Sequence, residues 1–387
     1  MTDLETVRGE LARLVAFDTT SRNSNLDLVD DVEERLKALG AATRRTTDDT
    51  GAKANLLARF GPVTAGGVVL SGHTDVVPVD GQDWASDPFV LEERGGRLYG
   101  RGTCDMKGFL ACAMAHAERF AEAPLARPVY FAFTYDEEVG CLGAPRLIAD
   151  LVRSEPRPAA VIVGEPTMMK VVNGHKGAAY HRTVATGAEA HSSKSGQGVS
   201  AVMAAARLIE ILRAMHDERR AAADPESPFD PPHATITCNV IGGGTAPNIL
   251  AGECAFEWDA RCLPDERPED VLAEFAARAA VVEREMKAVD ARCAIRTERF
   301  ANIPSMARRA ENAAADLACA LTGENGSAAV AYGAEAGQYQ NAGLAVAICG
   351  PGSIGEAHQP DEFVALDQLE RCLAFMARLE ARLSAQG

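Results

Sequence analysis

At 387 residues the chain is longer than one hydrophobic core usually grows, so two domains are expected. Hydrophobic residues make up 47% and charged residues 24%, ordinary values for a globular protein in water. The net charge of −16, from 39 basic and 55 acidic residues, argues against nucleic acid or an anionic membrane as partner and suits small molecules or cations.

In chain order, Leu4, Val7, Leu11, Leu14 and Val15 have helical spacing, with Thr2 or Asp3 as cap. A second helix is expected over 26–39, stopped by Gly40. Strands follow at 54–60 and 67–71, then an Ala- and Met-rich helix over 103–120. Further on come a strand at 129–134, a helix at 143–154 and a strand at 159–163. Strands alternating with helices predict an α/β layer with a largely parallel sheet, whose ligands sit beyond the carboxyl ends of the strands. The middle third predicts a strand at 178–186, a helix at 199–215, a Pro-rich loop, strands at 235–240 and 254–261, and a helix at 268–288 opened by Pro268. A β-α-β-β-α order of this kind makes an α+β unit. The α/β grammar returns with a helix at 310–321, a strand at 345–349 and a helix at 366–383. One domain inserted into another is expected, with boundaries at 1–176, 177–295 and 296–387.

The acidic start Met1-Thr2-Asp3-Leu4-Glu5 lacks a basic or apolar leader pattern, and no run reaches the length of a membrane span, so a cytoplasmic location is expected. Ten cysteines are scattered without a CxxC pair, which argues against a disulfide framework. Of these, Cys104 alone stands beside candidate chemistry, where packing is its plain reading.

The chemistry concentrates at the expected strand ends. Glu137 and Glu138 are adjacent carboxylates after the 129–134 strand. On extended backbone they point to opposite faces, so one is free to ligate a metal while the other handles a proton. His73 and Asp75 lie two residues apart, and Asp75 is placed to accept the ring N–H of His73. Asp105 lies in a glycine-bracketed turn, Glu165 in Gly164-Glu165-Pro166-Thr167, and His358 in Ala357-His358-Gln359-Pro360-Asp361-Glu362. Each has a plain structural reading: a surface pair, a helix cap, a polar strand end, a surface histidine. Together two imidazoles and at least three carboxylates suit a borderline metal such as zinc. Two metals would need a bridging carboxylate, for which Asp105 is the best placed.

These residues, in this order, resemble the M20 family of metallopeptidases and amidohydrolases over essentially the whole chain. The motifs that carry the resemblance are Gly72-His73-Thr74-Asp75-Val76-Val77-Pro78, the stretch 100–108, Asp136-Glu137-Glu138-Val139-Gly140, Gly164-Glu165-Pro166-Thr167 and His358-Gln359-Pro360-Asp361-Glu362. The resemblance implies a zinc-dependent exopeptidase-like catalytic domain with a mostly parallel sheet, plus an inserted α+β lid and dimerisation domain. It implies two zinc ions, with cobalt able to substitute: one on His73, Asp105 and Glu165, the other on Asp105, Glu138 and His358. It further implies Glu137 as general acid and base, Asp75 as the orienter of His73, and a cis peptide at Asp105–Met106.

His191, in Gly187-Ala188-Glu189-Ala190-His191-Ser192-Ser193, matches a lid histidine that steadies the oxyanion, often from a neighbouring subunit of a homodimer. Asn248 and Arg261 match lid residues that grip substrate, the guanidinium suiting an α-carboxylate. Within the family the stretches 135–141, 164–167, His175-Lys176-Gly177, Ala190-His191-Ser192-Ser193 and 350–353 look most like the acetylornithine deacetylase branch. Glu335 matches an acidic position of that branch, where it would pair with a substrate ammonium. The implied reaction is hydrolysis of an N-acyl amino acid, N2-acetyl-L-ornithine to L-ornithine and acetate, as in arginine biosynthesis. Succinyl-diaminopimelate or N-acetyl-diaminobutyrate is the alternative substrate. A fold that has lost catalysis would show a missing ligand, and a metallophosphoesterase would want a basic pocket; neither matches this composition.

Overall fold

A computed structural model describes residues 3–384. The described residues divide into two compact units, one of residues 3–174, 308–328 and 334–384, the other of 175–307 and 329–333. The expected boundaries stood at 176/177 and 295/296. The second differs because the strand Ala294–Ile303, without an alternating pattern strong enough to read, pairs with Gly177–Thr186 and extends the inserted unit.

The larger sheet, nearly all of it in the first unit, has eight strands in the order Ala42–Thr47, Ala54–Phe60, Val129–Thr134, Val68–His73, Ala160–Pro166, Val346–Gly350, Val172–His175, Ala328–Val330. The four strands from Val129–Thr134 to Val346–Gly350 run parallel, while Ala42–Thr47 and Ala54–Phe60 on one side and Val172–His175 on the other join by antiparallel pairing. Residues alternate between faces as the pleat requires. Val129, Phe131 and Phe133 join one core cluster with Val68, Leu70 and Ile162 and with helices Leu4–Val15, Leu26–Ala38, Lys107–Glu122, Ala313–Thr322 and Leu366–Leu383. Each large side chain so buried contributes about 1.5–3 kcal/mol. Tyr130, Thr134, Ser71, His73 and Glu165 take the opposite parity, away from that cluster.

Asp3 caps the first helix through Thr6 N, whereas Thr2, the other cap expected, lies outside the described residues. The helix expected from 103 begins only at Lys107, because 101–106 form turns. That late start leaves Asp105 in a loop, with the Asp105–Met106 peptide cis.

The second unit is an antiparallel four-stranded sheet in the order Thr235–Gly243, Glu253–Cys262, Gly177–Thr186, Ala294–Ile303. Helices Ala201–Ala221 and Pro268–Val289 cover one face, where Phe256, Trp258, Ala260, Leu208 and Phe275 form a separate core. The final strand completes a β-α-β-β-α-β order, one strand beyond the pattern expected. No helix among the described residues is long and apolar enough to cross a membrane.

Candidate active site

Sheet register assembles half of the site. Ser71 faces Val163 across the parallel pair, so two residues on, His73 and Glu165 reach the same level on the same face. Thr134 stands beside His73 on the other side. All three are at the carboxyl ends of their strands, where loops bring in the remaining groups.

Two triads of donor atoms result: His73, Asp105 and Glu165, and Asp105, Glu138 and His358, each with its atoms within 4.8 Å of one another. Asp105 belongs to both. Its Oδ1 is 3.0 Å from His73 Nε2 and its Oδ2 is 3.4 Å from His358 Nε2. Glu165 Oε1 lies 3.9 Å from His73 Nε2, and Glu138 Oε2 lies 3.0 Å from His358 Nε2. All but His358 bury their side chains; His358 is half exposed, in the left-handed region at φ 63°.

So many carboxylates out of water repel one another. Burial, aided by Asp105, pushes Glu138 up to about 7 and Glu165 well above its ordinary value. Burial raises Glu137 as well, with Glu138 and Asp105 adding to it against the pull of His73. Asp105 goes the other way despite its burial, because hydrogen bonds to His358 and His73 favour its ionised form. Hydrogen bonds to Asp105 and Glu138 raise His358 to about 11. Buried oxygens of Glu138 and Glu165 (Oε1 of each) have no hydrogen-bond partner. Unpartnered carboxylate oxygens and two imidazoles around one aspartate form a donor set fit for two cations.

The adjacent glutamates part company by a turn, not by the extended backbone that the sequence suggests. The strand ends at Thr134, Asp136 takes φ 55°, and the amides of Gly140 and Cys141 both return to Glu137 O. Glu138 therefore reaches His358 while Glu137 turns to Cys141, whose thiol lies 3.2 Å from Oε1. Cys141 thus joins Cys104 beside the chemistry, which its apolar neighbours in sequence conceal. Cys104 itself donates through Sγ to Ser353 O.

Asp75 holds His73 by a different atom than expected. The ring Nδ1 bonds the main-chain oxygen of Asp75 at 2.9 Å, with carboxylate Oδ1 at 3.6 Å. The Asp75 carboxylate instead accepts the amides of Glu137 at 3.0 Å and Glu138 at 3.3 Å, and Ser21 Oγ at 2.7 Å. It therefore fixes the turn that carries both glutamates.

Glu335 is buried against the hydroxyls of Ser71 and Thr134, with neither oxygen in a well-formed hydrogen bond. Burial lifts its pKa to about 7, and it is near enough to His73 and Asp75 to feel their charges. The neighbouring Tyr339 OH bonds Ser71 Oγ at 2.9 Å.

His191, Asn248 and Arg261 belong to the second unit. His191 is exposed, its Nδ1 2.8 Å from Ser193 Oγ, and Asn248 O accepts the amide of Ser192, so these two share one loop cluster. Arg261 lies on the face of the sheet that its helices leave open, where it bonds Asp259 Oδ2 at 2.9 Å and Tyr180 OH at 2.7 Å. It lines a cleft of about 500 Å³ with Tyr180, Asn239 and Phe300.

Residues 69–381 match the sequence pattern of peptidase family M20/M25/M40. The chain is 37% identical to an acetylornithine deacetylase of Myxococcus xanthus over 98% of its length and 97% of that protein. It is 33% identical to an acetylornithine deacetylase of Proteus mirabilis (strain HI4320), covering 94% and 92%. In fold it resembles the M20 family metallo-carboxypeptidase Sso-CP2 of Sulfolobus solfataricus, with a TM-score of 0.78 at 15% identity over 96% and 97% of the two chains. The Bacillus subtilis YXEP protein, a dinuclear metal binding peptidase from the M20 family, gives a TM-score of 0.64 at 14% identity over 98% and 99%.

Proposed function

The chain belongs to peptidase family M20/M25/M40, and from that premise we propose a two-metal amidohydrolase that removes the acyl group from an N-acyl amino acid, N2-acetyl-L-ornithine first. The observation that carries this reading is the Asp105 carboxylate between two imidazoles, with a further carboxylate on either side. Zinc is the cation proposed, since imidazole and carboxylate donors suit it and cobalt in place of harder ions.

A divalent pair bound there would polarise the amide carbonyl and make a water easier to deprotonate at neutral pH. Glu137 would take the proton from the attacking water and deliver it to the departing amine nitrogen. Its burial and its raised proton affinity suit a group that must both accept and give. Asp75 would keep Glu137 and Glu138 in register through their amides.

For the substrate, Glu335 is proposed to meet the side-chain ammonium, because a buried carboxylate without well-formed hydrogen bonds stands to gain most from a cation. Arg261 is proposed to meet the α-carboxylate, its guanidinium already steadied by Asp259 and Tyr180. Asn248 would assist, and His191 would donate to the oxyanion, in its own chain or a neighbour's. The second unit would then be a lid and the surface of a homodimer. Supporting this are the exposed Val240 and Ile241 on an edge strand and the exposed Met203 on a helix. A cytoplasmic site and a role in arginine biosynthesis follow from the same reading.

The test is a competition among N2-acetyl-L-ornithine, N-succinyl-diaminopimelate and N-acetyl-diaminobutyrate with added zinc or cobalt. Preference for acetylornithine by kcat/KM is expected; a strong preference for the succinyl compound would overturn the substrate assignment.

A further inference from the structure

Glu362 is 1% exposed, and its carboxylate receives four donors. Oε1 accepts the amides of Cys104 at 2.8 Å and Asp105 at 2.9 Å, while Oε2 accepts the amide of Gly102 at 2.9 Å and Arg101 Nη1 at 2.7 Å. Its main-chain oxygen accepts the amide of Gly100 at 3.0 Å. Arg101, equally buried, extends the tie to Gln359 O at 3.3 Å and to the side chain of Gln82. Gln82 Nε2 closes the circuit on His358 O at 2.9 Å. The loop that presents Asp105 and the segment that presents His358 are therefore one hydrogen-bonded body, with Glu362 at its centre.

The two triads do not depend on this body equally. His73 and Glu165 are carried by neighbouring strands of the central sheet, and the amide of Glu138 is held by Asp75. The Asp105 loop keeps supports of its own: Lys107 N donates to Gly102 O at 2.7 Å, and Lys107 Nζ donates to Leu14 O and Phe17 O. His358 has less backing: beyond this body its segment is tied by the amide of Ala85 to Asp361 Oδ1 at 3.0 Å and by the pairing of Phe363 with Tyr99. It lies half exposed in a loop outside every helix and strand, and its segment is tied to Asp105 through Glu362 and Arg101.

We propose that Glu362 is a positioning residue that sets the spacing between Asp105 and His358, and so assembles the Asp105–Glu138–His358 metal position selectively. This rests on the two-metal reading given above. A carboxylate suits the task because each oxygen accepts two donors, which no neutral side chain of that length does for all four.

The experiment loads purified wild type and Glu362→Gln with cobalt(II), then measures metal per chain, the affinity of each equivalent and the visible cobalt absorption. Wild type is expected to hold two equivalents. Glu362→Gln should keep the first unchanged and bind the second about 10–100-fold more weakly, with the second increment of cobalt absorption lost until metal is in excess. Retention of both equivalents at wild-type affinity overturns the proposal, as does loss of both in parallel. Should Glu362→Gln fail to fold by circular dichroism, Gln82→Ala decides. It cuts the link to His358 O and the Gln82 contacts of Arg101 and Trp84 while leaving Glu362 on the amides of Gly102, Cys104 and Asp105, so a selectively weakened second equivalent at an unchanged thermal midpoint supports the proposal, and unchanged affinities overturn it. A wild type that binds fewer than two equivalents would sink the two-metal reading itself, a result distinct from either.

Discussion

The thiol of Cys141 donates to Glu137 Oε1 across 3.2 Å, with both residues buried. Cys141 is held for this by its own backbone, in the left-handed region at φ 56°, with its carbonyl accepting Gln338 Nε2 at 3.0 Å. Glu137 therefore does not swing freely, since the helix Ala336–Asn341 secures the turn that aims it.

Glu137→Gln should lower kcat by about 10²–10⁴, the usual contribution of a positioned acid–base group. It keeps the size and the Cys141 contact, so metal content measured by mass spectrometry should match wild type. A variant that is active at the wild-type rate would remove Glu137 from the proton-transfer role.

Cys141→Ala removes one hydrogen bond worth about 0.5–1.5 kcal/mol and should lower kcat by roughly 2–10-fold at an unchanged KM. Cys141→Ser, which restores a donor, should recover most of the loss. Equal losses in both variants would reduce the thiol to packing.

Gly164 precedes Glu165, and a Cβ there would lie 2.1 Å from the Phe109 ring, far inside contact distance. Phe109 is fully buried in the helix behind the sheet and has nowhere to retreat. Gly164→Ala should cost about 1–3 kcal/mol in urea unfolding, and Phe109→Leu in the same chain should return part of it.

His175 is fully buried, and burial draws its pKa down to about 4 from 6.5. The unfolded chain thus binds a proton that the folded chain refuses, so this histidine's contribution is complete above about 6.5 and is lost as pH falls toward 4. Within that window the slope is about 1.4 kcal/mol per pH unit for one proton. Urea midpoints of His175→Gln should fall less steeply between those limits than wild type; identical slopes would assign the acid sensitivity elsewhere.

Much of this was legible in advance. The strands Ala54–Phe60 and Val129–Thr134 and the helix Leu366–Leu383 coincide with their expected spans, since strong periodicity coincides with clear breakers there. The strands Ala42–Thr47 and Ala294–Ile303 were not legible: polar residues run through both, and only pairing with a neighbour makes them strands. Glu362 stood in plain view four residues after His358, yet burial among four donors cannot be read from a side chain's name.

By itself the sequence determined which residue types are present, in what order, and at which strand ends, because local pattern and covalent spacing decide those. Only the tertiary structure decided how they share work. Register across the parallel pair set His73 level with Glu165, and a turn parted Glu137 from Glu138. Asp75 serves the histidine with its main chain and the glutamates with its carboxylate. Such assignments depend on which atoms meet after residues tens to hundreds of positions apart pack together, and distance along the chain carries no trace of that.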